Sequence, residues 1–154
     1  MRLTRLKTEN FRNLAAVDVT PAPGVNVIYG ENAQGKTNLI EAIYLLTGQK
    51  SFRAAKESDY PRFGQEVARI EAEFTCQNRE KTAALAYGSK KLAWLNGVEC
   101  APSELTGEFL AVVFSPGELA LIQEGPSERR AFLDGAISQV MPRYICLLYT
   151  SDAA

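Results

Sequence analysis

The sequence predicts an α/β fold, and three observations predict it. A short apolar run, Val25 to Tyr29, leads into a glycine-bounded loop and then into an amphipathic stretch from about Lys36 to Thr47. Strand-like segments at Val67 to Thr75, Thr82 to Tyr87 and Leu92 to Leu95 are separated by turn residues, the pattern of an antiparallel meander. A second apolar run, Phe109 to Phe114, has the composition of a strand buried on both faces.

Each element has a local reason. Leu3 to Phe11 alternates polar and apolar residues, which predicts a strand. A turn at Asn10-Phe11-Arg12-Asn13 leads to a second strand near Leu14 to Thr20, and Pro21-Ala22-Pro23-Gly24 then breaks the chain. In the helix, Leu39, Ile40, Ile43 and Leu46 form one apolar face, and Gly48 ends it. Residues 55–64 read as a charged loop. Gly88-Ser89 and Asn96-Gly97 supply the meander's turns. Ser115-Pro116 reads as a helix start, with serine as N-cap and proline at the first helical position. A further helix is expected from Pro126 through Arg129, Arg130, Phe132, Leu133 and Ile137.

Composition excludes several kinds of chemistry. Histidine is absent, which removes histidine-based acid/base catalysis, Ser-His and Cys-His nucleophile pairs and most zinc ligation. Cys76, Cys100 and Cys146 are scattered singly, so no disulfide framework is expected. No apolar run approaches the roughly 18 residues of a membrane span, and the amino terminus lacks a signal-peptide core, so a cytoplasmic location is expected. The net charge of -1 predicts neither nucleic-acid nor membrane binding by the chain as a whole. Lys50, Arg53, Lys56, Arg62, Lys90 and Lys91 are candidates for a local phosphate-binding set, but Glu57 and Asp59 dilute them and solvated surface charge is the stronger reading.

Gly30-Glu31-Asn32-Ala33-Gln34-Gly35-Lys36-Thr37 matches the Walker A pattern, placed between a strand candidate and a helix. The glycines let backbone N–H groups turn inward around phosphate oxygens, and the helix start adds its positive dipole end. Lys36 is expected at the β- and γ-phosphates of ATP, and the Thr37 hydroxyl on Mg2+. Arg12, ahead of the loop, is a candidate phosphate contact, although a tight turn with left-handed asparagines is the stronger local reading.

The segment Asn10 to Leu14 together with Gly30 to Glu41 resembles the amino-terminal head of ABC-type ATPases of the SMC and RecF group. Three more stretches narrow the resemblance to the RecF family: Gly48 to Arg53, Val112 to Pro116, and Gly125-Pro126 with Arg129 to Asp134. It runs from Met1 to about Tyr144, giving an expected division into residues 1–145, the amino-terminal part of a RecF-like head, and residues 146–154, a non-matching tail with no function. The resemblance implies an ATP site at Gly30 to Asn38, with Arg12 and Asn13 beside the nucleotide and Arg53 near the phosphates. It also implies an ATP-dependent homodimer and binding of single-stranded and linear double-stranded DNA. Action with RecR and RecO in gap repair, replication restart and SOS induction is implied as well.

This sequence departs from the family in places. Gly117-Glu118 stands where many RecF proteins have Glu-Asp, Ser115 to Glu118 holds no Mg2+-sensing glutamine, and Gln123 reads as a helix-surface residue. No Walker B strand, adjacent glutamate or signature motif is present, and Ala131 to Asp134 reads as helix. The fold expected is therefore the amino-terminal half of an ABC/SMC-type P-loop NTPase with an antiparallel meander and an incomplete core sheet, of marginal stability. The alternative is another P-loop NTPase. A GTPase would carry an N/T-K-x-D motif, which is lacking. A small-molecule kinase would place an arginine-rich lid close behind the loop, where the meander stands.

Overall fold

The computed structural model describes residues 1–53, 56–114, 126–144 and 147–148. Strand β1 (Arg2–Phe11) turns back into β2 (Leu14–Val19), and its other edge pairs with β3 (Ala68–Cys76). Strands β4 (Arg79–Tyr87), β5 (Lys91–Leu95) and β6 (Val98–Cys100) continue from there, so the order is β2-β1-β3-β4-β5-β6. All five pairings are antiparallel. The meander is thus fused to the amino-terminal hairpin in one sheet.

Register decides which side chains form the core. Thr8, Ile70, Leu85 and Ala93 lie opposite one another in a single row across four strands, and all four are buried. Period-2 alternation puts Leu6, Ala72 and Ala83 in the next row on the same face. Helix α1 (Lys36–Leu45) covers this face through Ala42 and Leu45, continued by Leu46. Phe74 meets Phe109 edge-to-face with centroids 5.1 Å apart, which extends the core past β6.

Two hairpin turns show where local chemistry was readable. Asn96-Gly97 takes φ values of 52° and 78°, the doubly left-handed turn that suits strand twist. Gln77-Asn78 does the same at 52° and 61° without a glycine, which is why no turn was expected there. The three-residue β6 was also not expected. Helix α2 (Pro126–Val140) begins at the predicted proline, and Ala131 to Asp134 lies inside it.

Three expectations are corrected. Val25 to Tyr29 is not a strand: no other strand pairs with it among the described residues, and Val25 and Tyr29 are about nine-tenths exposed. A strand buried on both faces needs neighbours along its edges and layers above and below. Apolar composition reports the first condition of burial, not whether those neighbours are present. Phe109 to Phe114 fails for the same reason, since only Phe109 is buried while Val112 and Phe114 are open to solvent. Finally, Leu46 is buried and Leu39 and Ile43 pack against the core as expected, but α1 also turns Glu41, Ala42 and Leu45 fully inward and leaves Ile40 exposed, the carboxylate of Glu41 being satisfied inside. The expected helix start at Ser115-Pro116, with Gly117, Glu118 and Gln123, lies outside the described residues, as does the tail apart from residues 147 and 148. No helix among the described residues is long and apolar enough to cross a membrane.

Two core hydroxyls, those of Thr8 and Tyr87, are poorly satisfied. The Tyr87 hydroxyl is buried without a hydrogen-bond partner among the described residues, and burial pushes its phenol far above the ordinary value, with Tyr60 adding to the effect. Removing an unsatisfied buried hydroxyl should be neutral or stabilising by about 1 kcal/mol, so Tyr87→Phe should melt at or above the parent temperature. A phenol whose folded pKa is raised contributes stability that is complete below its unfolded value and is lost as pH climbs beyond about 10. Urea midpoints should therefore fall from about pH 8 to about pH 11, and fall less in Tyr87→Phe.

Candidate functional site

The loop Gly30 to Gly35 is a curled segment held open at its mouth. Ala33 (φ 64°) and Gly35 (φ 101°) both occupy the left-handed region, and the Asn13 amide donates to the Ala33 carbonyl at 2.8 Å. Glycine is required at 35 twice over. A side chain there would start 2.6 Å from Leu14 Cδ2 and 2.7 Å from Asn13 Oδ1, in a backbone conformation that branched residues avoid.

Gly35 is also the N-cap of α1, and it offers no side-chain cap. No acid lies in the first turn, so the leading N–H groups and the dipole end are left for an outside anion. Lys36 follows directly. Its ammonium donates to the carbonyls of Gly30 at 2.9 Å and Glu31 at 2.6 Å, closing the loop on itself. Glu31, Asn32, Gln34 and Thr37 are exposed around this mouth.

A second tier packs against the loop. Asn38 donates to Asn13 Oδ1 at 2.7 Å and accepts from Arg53 Nη1 at 2.6 Å, so Asn13, Asn38 and Arg53 form one chain of contacts. Arg12 sits at φ 56°, a left-handed conformation unusual for a long side chain, and its N–H donates to the Tyr60 carbonyl at 2.7 Å. Its guanidinium lies 5.0 Å from the centre of the Tyr60 ring and grips Glu41 through Nε at 3.1 Å and Nη2 at 2.8 Å. Burial raises the Tyr60 phenol, and the nearby Glu41 carboxylate adds to this.

The turn reading of Asn10 to Asn13 therefore has a structural counterpart, and Arg12 leaves that turn to bond Glu41 and the Asp59 carbonyl. Asn10 and Arg12, not Asn13, are the left-handed residues. All the sequence-predicted residues, Gly30 to Asn38 with Arg12, Asn13 and Arg53, come together at one end of α1. Glu41, Ser51, Asp59 and Tyr60 were not singled out. The available signal was an acid, Glu41, one turn ahead of Leu45 on the inward face of a helix.

Beside the loop runs an open groove of about 580 Å³, lined among others by Arg12, Asn38, Arg53, Asp59, Arg62 and Phe63. Of the basic set, Arg53 and Arg62 reach this groove. Lys91 is instead bound to Glu57 at 2.8 Å and lies over the Tyr87 ring. Lys50, Lys56 and Lys90 are exposed. A phosphate-rich ligand spanning loop and groove would meet backbone N–H groups, an ammonium and guanidinium groups, together with a wholly exposed aromatic ring at Phe63.

The chain is similar to known proteins in both sequence and structure. The AAA domain family matches residues 5–103. The DNA replication and repair protein RecF of Desulforudis audaxviator is 41% identical over 150 residues, covering 96% of this chain and 41% of that protein. RecF of Clostridioides difficile is 41% identical over 146 residues, covering 94% of this chain and 39% of its own length. The chain thus spans about two fifths of the length of these relatives. Among solved structures, the recombination mediator protein RecF-ATP in the RecFOR pathway superposes with a TM-score of 0.92 at 37% identity, over 99% of this chain and 43% of that one. The SMC head domain from Thermotoga maritima gives 0.57 at 25% identity, over 71% of this chain and 43% of that one.

Proposed function

The chain belongs to the AAA domain family, and from that premise we propose that it is the nucleotide-holding part of a RecF-like DNA replication and repair ATPase. The observation that carries this reading is the uncapped start of α1 behind Gly35, with Lys36 folded over the same loop. The backbone N–H groups of Gly30 to Lys36, with the side chains of Glu31, Asn32 and Gln34 directed around the rim, cradle the phosphates. Lys36 leaves the carbonyls of Gly30 and Glu31 for the β- and γ-phosphates of ATP. Thr37 would hold Mg2+ through its hydroxyl, and the metal would supply neutralisation of phosphate charge. Asn13, Asn38, Arg12 and Arg53 form the second wall.

The uncapped helix start and the glycine that admits close backbone approach fit a triphosphate. So does the superposition on a protein solved as RecF-ATP. The wider role follows from the relatives' naming and the family resemblance: gap repair and SOS induction in the cytoplasm, contact with single- and double-stranded DNA, action beside RecR and RecO, and ATP-dependent pairing of two copies. No Walker B or signature motif occurs in this sequence, and the part of the proposed activity that these residues carry is the holding of nucleotide.

Titration of the purified chain with Mg2+-ATP and Mg2+-GTP, with Lys36→Ala as control, tests the reading. ATP should bind in preference to GTP, and Lys36→Ala should weaken ATP by about tenfold to a hundredfold, as expected for loss of a charge-assisted phosphate contact. Equal binding by parent and control would overturn it.

A further inference from the structure

We infer that Glu41 is the positioning residue for the two arginines at the nucleotide site, an inference that rests on the ATP-binding reading above. The Glu41 side chain is completely buried. Burying a carboxylate is costly unless its charge and all its lone pairs find partners. Here they do. One oxygen accepts from Arg12 Nη2 at 2.8 Å and from the Ser51 hydroxyl at 2.5 Å. The other accepts from Arg12 Nε at 3.1 Å and Arg53 Nη1 at 3.4 Å. These contacts match the roughly four acceptor positions an ionised carboxylate offers.

The donors come from separate stretches of chain. Arg12 stands in the β1–β2 turn, and Ser51 and Arg53 in the segment after α1. Glu41 lies on the helix whose first turn forms the loop's exit. Two guanidinium groups drawn to one carboxylate would otherwise repel each other, so the carboxylate makes their proximity tolerable. It also sets which donors remain. Arg12 has five N–H donors; Nε and Nη2 each bond Glu41, and Nη1 bonds the Asp59 carbonyl at 3.1 Å. One N–H on each of Nη1 and Nη2 is left without a partner among the described residues. Those two are available to an outside acceptor such as a phosphate oxygen. Arg53 keeps Nε and Nη2 uncommitted in the same sense, and its side chain is 43% exposed. Glu41 touches no ligand itself; it acts through Arg12 and Arg53.

A mutant cycle in the purified chain tests this, with Mg2+-ATP titrated into parent, Glu41→Gln, Arg12→Ala and the double variant. Glu41→Gln should weaken ATP by about tenfold, within the range of coupled neighbours. In the Arg12→Ala background it should add less than about twofold, because the group it positions is gone. A general packing defect would instead subtract equally in both backgrounds, and that result, or unchanged ATP binding by Glu41→Gln, would overturn the inference. If circular dichroism shows that Glu41→Gln does not fold, Ser51→Ala replaces it, removing one donor while keeping carboxylate and arginines. Ser51→Ala should then weaken ATP about threefold with Arg12 present and not at all with Arg12→Ala, whereas equal loss in both, or no loss, counts against Glu41. Lys36→Ala separates the two ideas. Indifference of binding to Lys36→Ala defeats the nucleotide reading, while sensitivity to Lys36→Ala with an additive Glu41 effect defeats only this inference.

Discussion

Gly35→Val should leave no measurable Mg2+-ATP binding while the sheet stays folded. Two independent obstacles act at this position. The backbone stands at φ 101°, and a Cβ would begin 2.6 Å from Leu14 Cδ2 and 2.7 Å from Asn13 Oδ1. Left-handed strain in a branched residue costs about 1–3 kcal/mol, and either the loop shifts or the turn's Leu14 and Asn13 side chains swing aside. Moving the loop misaims the N–H groups at the start of α1, and swinging Asn13 aside breaks its bond to Ala33. A loss of about a hundredfold or more in affinity corresponds to only about 2.7 kcal/mol, well within these terms combined. Isothermal titration reads the affinity, and far-ultraviolet circular dichroism checks the sheet. Retention of parental affinity would show that the loop does not act through this conformation.

The second large effect is on stability. Phe74 is 1% exposed, sits on the inner face of β3 and meets Phe109 edge-to-face. Truncation to alanine removes the ring's transfer free energy, leaves a cavity and loses the aromatic pair, together about 3–5 kcal/mol. Typical domains have only about 5–15 kcal/mol in hand. Phe74→Ala should therefore shift the urea midpoint sharply or abolish a cooperative transition. A midpoint within error of the parent would mean that β3 does not organise the core.

Sequence and structure diverge for identifiable reasons. The loop Gly30 to Thr37, the Asn96-Gly97 turn and the start of α2 at Pro126 were legible because their residue types answer local backbone demands. Burial of Val25 to Tyr29 was not legible, since it depends on strands brought alongside from elsewhere. Glu41 was hidden for the opposite reason: a charged residue reads as surface until its partners are known, and Arg12, Ser51 and Arg53 lie 10 to 29 residues away along the chain. Gathering of the site residues at one end of α1 likewise needs the hairpin, helix and following segment together in space.

Val25, Val27 and Tyr29 stand open to water immediately upstream of Gly30. An exposed, uncharged run of this kind is open to pairing with a further strand. Its occupancy and the shape of the phosphate loop are joined by a single peptide bond. A second molecule settling along residues 25–29 at high concentration would bear on the first glycine of the loop. Crowded and dilute samples should consequently differ in how firmly they hold ATP.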